Sequence, residues 1–319
     1  MMRGYWRMTL AKAIESNKEL SETSKKNYLA KIKKLSDRAG ADLQHILTNP
    51  DTFVPKIKEW YPNETSHKAF FGTILSVFRY NPDFKAKHAT GAASWATAFR
   101  AADESVNQRY ETNKPSDKQS AGYVPYGEII DARNLLPAGH IHRLLLGCYT
   151  YIHPLRGEFC RVAVYRGKLP TPKSAIEPNY IHITGDDSEA KLVIRQFKTQ
   201  KHHDSLDIPL PEPFIQDVVL SLAETPRSYL FENTKGKPYV QAQFSKWTTR
   251  VFQSIFKRPL TISLIRHSFI NELDFNTLSI VDKKQIAQSM GHTVEMQDKY
   301  RLLFTDKSSE CDCVCKGKT

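Results

Sequence analysis

The sequence predicts a mainly α-helical protein with one small antiparallel β-sheet, divided into two domains. Three observations predict this. Apolar residues recur at helical spacing through the first 110 residues and again from about 213 to 304. A polar stretch without periodicity, Glu111 to Tyr123, separates the two regions. Three short strand-like runs then fall together between residues 180 and 210.

Taken in order, the first helix places Tyr28, Leu29, Ile32 and Leu35 on one face, with Lys25, Lys26, Lys31, Lys33 and Lys34 over much of the rest. A second follows Asn63-Glu64-Thr65-Ser66, with Thr65 or Ser66 as the expected N-cap and Phe70, Phe71, Ile74, Leu75 and Phe78 turned inward. A third carries Trp95, Phe99, Ala102 and Val106. These aromatics share the apolar faces and so belong to a core rather than to base stacking. The domains are expected to be a helical domain over 1–110, a linker over 111–124, a second domain over 125–304 and a tail over 305–319. The second domain opens with helices near Tyr126 to Leu136 and His140 to Tyr151. The strand runs are Tyr180 to Thr184, Lys191 to Phe197 and Leu206 to Leu210. Helices resume over Pro213 to Ala223, Gln241 to Phe256, Ile262 to Leu273, Val281 to Met290 and Val294 to Phe304.

Length and composition narrow the function classes. At 319 residues with 40% hydrophobic residues, the chain can bury two ordinary cores. No apolar run approaches the roughly 18 residues of a membrane span, and the first residues lack the apolar centre of a secretion signal, so an intracellular protein is expected, in nucleus or cytoplasm. Five cysteines agree: Cys148 and Cys160 sit in apolar surroundings, and Cys311, Cys313 and Cys315 crowd the tail, a pattern unsuited to a disulfide framework. A formal charge of +12 and a pI near 9.3 point to a polyanionic partner, with double-stranded DNA foremost. Residues 1–110 hold 18 Lys and Arg against 11 Asp and Glu, and the remainder is basic too.

The chemistry-bearing residues cluster late. Arg156 stands in His-Pro-Leu-Arg-Gly-Glu-Phe, Lys198 in Gln-Phe-Lys-Thr-Gln-Lys, Arg266 in Leu-Ile-Arg-His-Ser-Phe, His292 in Met-Gly-His, and Tyr300 follows alone. Two guanidiniums hold the non-bridging oxygens of a pentavalent phosphorus at any working pH. A tyrosine supplies a nucleophile and a lysine a general acid. In this order the residues resemble the tyrosine recombinase, or phage-type integrase, family, whose catalytic domain runs Arg, Lys, His-x-x-Arg, His or Trp, Tyr. The resemblance covers Pro125 to Phe304, and the basic N-terminal region is similar in kind to the family's core-binding domain.

The resemblance implies a two-domain clamp on duplex DNA, acting as a homotetramer on two sites. It implies cleavage through a 3′-phosphotyrosine without metal, ATP or other cofactor. Arg156 and Arg266 would stabilise charge, His292 would add a hydrogen bond, Tyr300 would attack and Lys198 would protonate the leaving oxygen. Lys201 is the rival acid, and His202 beside it a further phosphate contact; Lys25, Lys26, Lys31, Lys33 and Lys34 are expected DNA contacts. The sequence departs from the family where Ser263 replaces the usual histidine, where Glu158 follows Arg156 by two residues, and where His292 to Tyr300 is one residue short. This marks a divergent branch, such as a eukaryotic virus or mobile element. His267 is expected to face another side of its helix. The competing functions are a type IB topoisomerase and a DNA-binding relative without catalysis, for which Ser263 speaks most. Arg301 to Phe304 offer an apolar piece for exchange between subunits.

Overall fold

The computed structural model of the chain describes residues 10–198 and 205–304. The chain divides between Thr112 and Asn113 into two compact units.

The first unit is helical throughout. A segment over residues 10–15 precedes α1 (Glu22–Ala39), α2 (Leu43–Thr48), α3 (Pro50–Trp60), α4 (Glu64–Arg79), α5 (Pro82–Lys87) and α6 (Ala89–Glu111). Its centre is the packing of α4 on α6, where Phe71 lies 5.7 Å from the fully buried Trp95. The Trp95 indole N–H donates to the Leu47 carbonyl at 3.0 Å and so ties α6 to α2. The N-cap of α4 is Asn63, not Thr65 or Ser66: its side chain accepts from the Thr65 N–H, so the helix starts two or three residues earlier than expected. On α1, Ile32 and Leu35 are buried while Lys26, Lys33 and Lys34 are exposed. Lys25 is bridged to Glu22 at 2.8 Å, Lys33 to Asp37, and Lys34 stands 4.8 Å over the Tyr61 ring.

The second unit begins with a departure from expectation. The stretch read as linker contains α7 (Asp117–Gly122), started by a capping box in which Ser116 and Gln119 satisfy each other's main-chain donors. Next come α8 (Tyr126–Leu135) and α9 (Ile141–Thr150). The sheet holds four strands in the order β1 (Ala163–Arg166), β2 (Asn179–Ile183), β3 (Ala190–Ile194) and β4 (Leu206–Pro209). It is mixed rather than purely antiparallel, because β1 pairs parallel to β2 while the other pairs are antiparallel. Four residues are too few for alternation to show, so β1 is defined by its partner.

Five helices complete the unit: α10 (Glu212–Glu224), α11 (Gln241–Phe256), α12 (Ile262–Glu272), α13 (Ile280–Ser289) and α14 (Val294–Asp298). From Leu264 to Ile270 every residue of α12 is buried, so this helix threads the core formed by α8–α11 and the sheet. The expected helix over 294–304 stops at Asp298. Beyond it the main chain is claimed by tertiary bonds: Asn271 donates to the Leu302 carbonyl at 2.9 Å and accepts from the Leu302 N–H at 2.8 Å, and the Leu303 N–H reaches the Asn113 carbonyl. Phe304 rests on Tyr123 at 4.3 Å. Arg301 to Phe304, expected to offer a piece for exchange, therefore lie on their own unit.

No helix among the described residues is long and apolar enough to cross a membrane. Replacing Trp95 with alanine removes both the buried ring and the α6–α2 tie, and is expected to cost about 3–5 kcal/mol. Urea denaturation followed by circular dichroism checks this; a loss under about 1 kcal/mol would contradict the packing described.

Candidate active site

The site is built where three loops meet the middle of α12. Arg266, 1% exposed, projects from this buried helix into a cage of carbonyls. Its Nη1 donates to the Pro154 carbonyl and, at 3.2 Å, to the Met290 carbonyl, and its Nη2 donates to His292 Nδ1 at 2.9 Å. Its Nε is buried with no partner.

Local chain geometry delivers those acceptors. Helix α13 ends in a Schellman turn: the Gly291 N–H bonds the Gln288 carbonyl at 2.9 Å and the His292 N–H bonds the Ala287 carbonyl at 3.0 Å. Gly291 sits at φ +64°, a left-handed conformation that a side chain disfavours. The turn aims the Met290 and Gly291 carbonyls at the two arginines, since Arg156 donates to the Gly291 carbonyl at 2.9 Å. The loop bearing Arg156 is braced twice. Tyr149 donates its hydroxyl to the Arg156 carbonyl at 3.1 Å, and His153 Nδ1 meets the Ser289 hydroxyl at 2.5 Å. Because that hydroxyl donates to the Ile286 carbonyl, His153 is the donor in the pair.

His292 is almost wholly buried. Its Nδ1 accepts from Arg266, so its proton resides on Nε2, which has no partner. Two unpaired donors, Arg266 Nε and His292 Nε2, thus occupy one buried site. Burial first, then the positive fields of Arg266 and Arg156, push His292 down to about 3.

Tyr300 closes the site from the turn after α14. The Arg266 guanidinium lies 4.8 Å from its ring centre, and the His292 ring 5.3 Å from it. Burial raises a phenol, but here the positive fields of Arg266 and Arg156 outweigh it and hold Tyr300 below the ordinary tyrosine value. The same cations therefore discourage a charged histidine and encourage a charged phenolate.

The structure brings together Arg156, Arg266, His292 and Tyr300. Lys198 lies exposed in a turn after β3, and Lys201 and His202 fall outside the described residues. Ser263 is exposed in the first turn of α12. His267 does not face away as expected. Its ring is 4.8 Å from that of Tyr300, and its Nδ1 lies 2.5 Å from the Tyr300 carbonyl. Asn271, one turn further along the same face, was not singled out by sequence; the spacing of 267 and 271 on one helical stripe was the available signal. Among the described residues no cluster of three histidine, cysteine or acidic side chains has metal-ligand geometry.

Titration of His292 has a direct consequence for stability. An unfolded histidine titrates near 6.5, whereas the folded one stays neutral down to about 3. As the pH falls through that interval the unfolded chain takes up a proton that the folded chain refuses. The stability is therefore complete above 6.5 and is lost progressively toward 3. His292→Gln is expected to flatten part of that decline in urea midpoints measured across the interval; an unchanged slope would contradict the buried neutral ring.

No known protein family matches the sequence, and no curated protein matches it. Solved structures do. A lambda integrase (75–356) dimer bound to a COC′ core site matches with a TM-score of 0.58 at 18% identity, covering 98% of both chains. A lambda integrase tetramer bound to a Holliday junction matches with a TM-score of 0.56 at 18% identity, covering 97% of this chain and 79% of the other. At that identity the likeness speaks for architecture, and the protein has a tyrosine recombinase, or integrase-like, fold.

Proposed function

We propose that the protein is a site-specific DNA recombinase or integrase that cuts and rejoins strands through a 3′-phosphotyrosine. The observation that carries this reading is the pair of unpartnered buried donors, Arg266 Nε and His292 Nε2, set beside an acidified tyrosine. A buried cation with spare donors and no carboxylate bridge is suited to an anion with oxygens in several directions, as a phosphodiester has.

In the proposed reaction a non-bridging oxygen takes hydrogen bonds from Arg266 and His292, and Arg156 supports the second. Tyr300 Oη forms a bond to phosphorus while the bond to the 5′ oxygen breaks. The phenolic proton leaves to solvent, eased by the lowered pKa. Lys198 gives a proton to the departing 5′ oxygen, and the bond energy is kept in the phosphotyrosine for rejoining. Serine at position 263 is a poor base. An acidified phenol has less need of one, which makes that replacement compatible with activity.

Partners follow from the same reading: double-stranded DNA, met by Lys26, Lys31 and Lys34 of α1 as well as by the second unit, and copies of the chain assembled as a tetramer on two sites. The lambda integrase structures, a dimer on a core site and a tetramer on a junction, support it. A eukaryotic virus or mobile element remains the proposed source.

Incubation with supercoiled plasmid and with duplexes from the protein's own genetic element, in a chelator, is expected to leave protein covalently attached to a 3′ DNA end on denaturing gels. Tyr300→Phe should abolish the adduct and Arg266→Ala reduce it by about a hundredfold or more. Binding without any adduct would favour the inactive relative, and relaxation by a monomer the topoisomerase. Lys198→Ala is expected to slow cleavage of ordinary DNA by about a hundredfold, with recovery when sulfur replaces the bridging 5′ oxygen, since a thiolate leaves unprotonated. The same pattern for Lys201→Ala instead would reassign the acid.

A further inference from the structure

Helix α7 reaches the site through a chain of hydrogen bonds whose protons can be placed one by one. The Ser116 backbone N–H can only donate, and it donates to Gln119 Oε1 at 2.9 Å; the Ser116 hydroxyl is 2.9 Å from the same oxygen. The capping box therefore fixes which way the Gln119 amide points. Its NH2 faces His267 Nε2 across 3.4 Å. An NH2 only donates, so Nε2 accepts and the ring proton sits on Nδ1. There it meets the Tyr300 carbonyl, which only accepts, at 2.5 Å.

Every link agrees with one tautomer of a neutral ring, and burial, with Arg266 nearby, holds His267 below the ordinary histidine value. On the same stripe of α12, Asn271 makes its two bonds to Leu302. The helix thus grips the main chain at residue 300 and at residue 302.

We infer that His267 is a positioning residue for Tyr300, its Nδ1–H directed by Gln119 so that the phenol stands over Arg266 and beside His292. This rests on Tyr300 being the nucleophile. His267 has no hydrogen available for the reacting oxygen, since Nε2 is engaged by Gln119 and Nδ1 by the carbonyl. It acts through the backbone, where a displacement of about 1 Å is enough to cost on the order of a hundredfold in rate.

The test uses the full chain and the duplex on which the wild type forms its adduct, together with 15N-histidine NMR of the DNA-free protein. His267→Leu is expected to lower the rate of adduct formation by about ten- to a hundredfold with DNA affinity unchanged. His267→Asn, whose Nδ2–H occupies the place of Nδ1–H, should restore most of the wild-type rate. Gln119→Met should cost less than His267→Leu and mix the two tautomers, while the wild-type ring should be neutral with its proton on Nδ1. A proton on Nε2 in the wild type, or His267→Asn no faster than His267→Leu, would overturn the assignment; should the leucine variant fail to fold, the asparagine rate and the wild-type spectrum decide it. Absence of any wild-type adduct would instead remove Tyr300 as nucleophile, and this inference with it.

Discussion

The second unit is organised around the burial of one positive charge. Taking a guanidinium out of water costs several kcal/mol unless its hydrogens are met. The chain meets three of Arg266's contacts with the carbonyls of Pro154 and Met290 and the imidazole of His292. The acceptors come from two segments distant in sequence, so the loop before Arg156 and the Met290–His292 turn that ends α13 have to be placed together. Neutral acceptors meet these hydrogens, Nε stays unpaired, and no carboxylate pairs directly with the charge. That residual field is what the site offers to an anion.

One field has opposite effects on two neighbours. Added to burial, it makes a second cation unwelcome, and the two together keep His292 neutral with a proton on Nε2, available as a donor. It makes a local anion welcome, which lowers the Tyr300 phenol despite burial. A neutral imidazole donor and an acidified phenol are thus tuned by the same two arginines. Ser263, exposed at the start of α12, stands outside this arrangement.

Much of this was legible in the sequence, and the failures share a cause. Helices with one apolar face, such as α4 and α11, are fixed by local periodicity, and α11 keeps its predicted bounds of Gln241 and Phe256. Met-Gly-His was legible as a unit because a helix end, a left-handed glycine and a buried histidine are all local facts. Elements decided by distant partners were not. Strand β1 exists through its parallel pairing with β2, and residues 299–304 leave the helix because His267, Asn271 and Asn113 take their main-chain groups. His267 was placed on the wrong side because helical spacing gives its angle to Arg266 and says nothing of where the chain returns 33 residues later. Glu111 to Tyr123 looked like a linker from composition, yet the Ser116–Gln119 spacing of a capping box was present in it.

The account turns on what the unpaired donors of Arg266 and His292 bind. A crystal structure of the protein with duplex DNA nicked at its cleavage site and orthovanadate, which takes up the five-coordinate geometry of phosphoryl transfer, tests this most directly. The expected result is a vanadate whose equatorial oxygens lie within hydrogen-bond distance of Arg266 Nε, His292 Nε2 and Arg156, with Tyr300 Oη in an apical position. A vanadate held elsewhere, or one approached by a side chain other than Tyr300, would contradict the account.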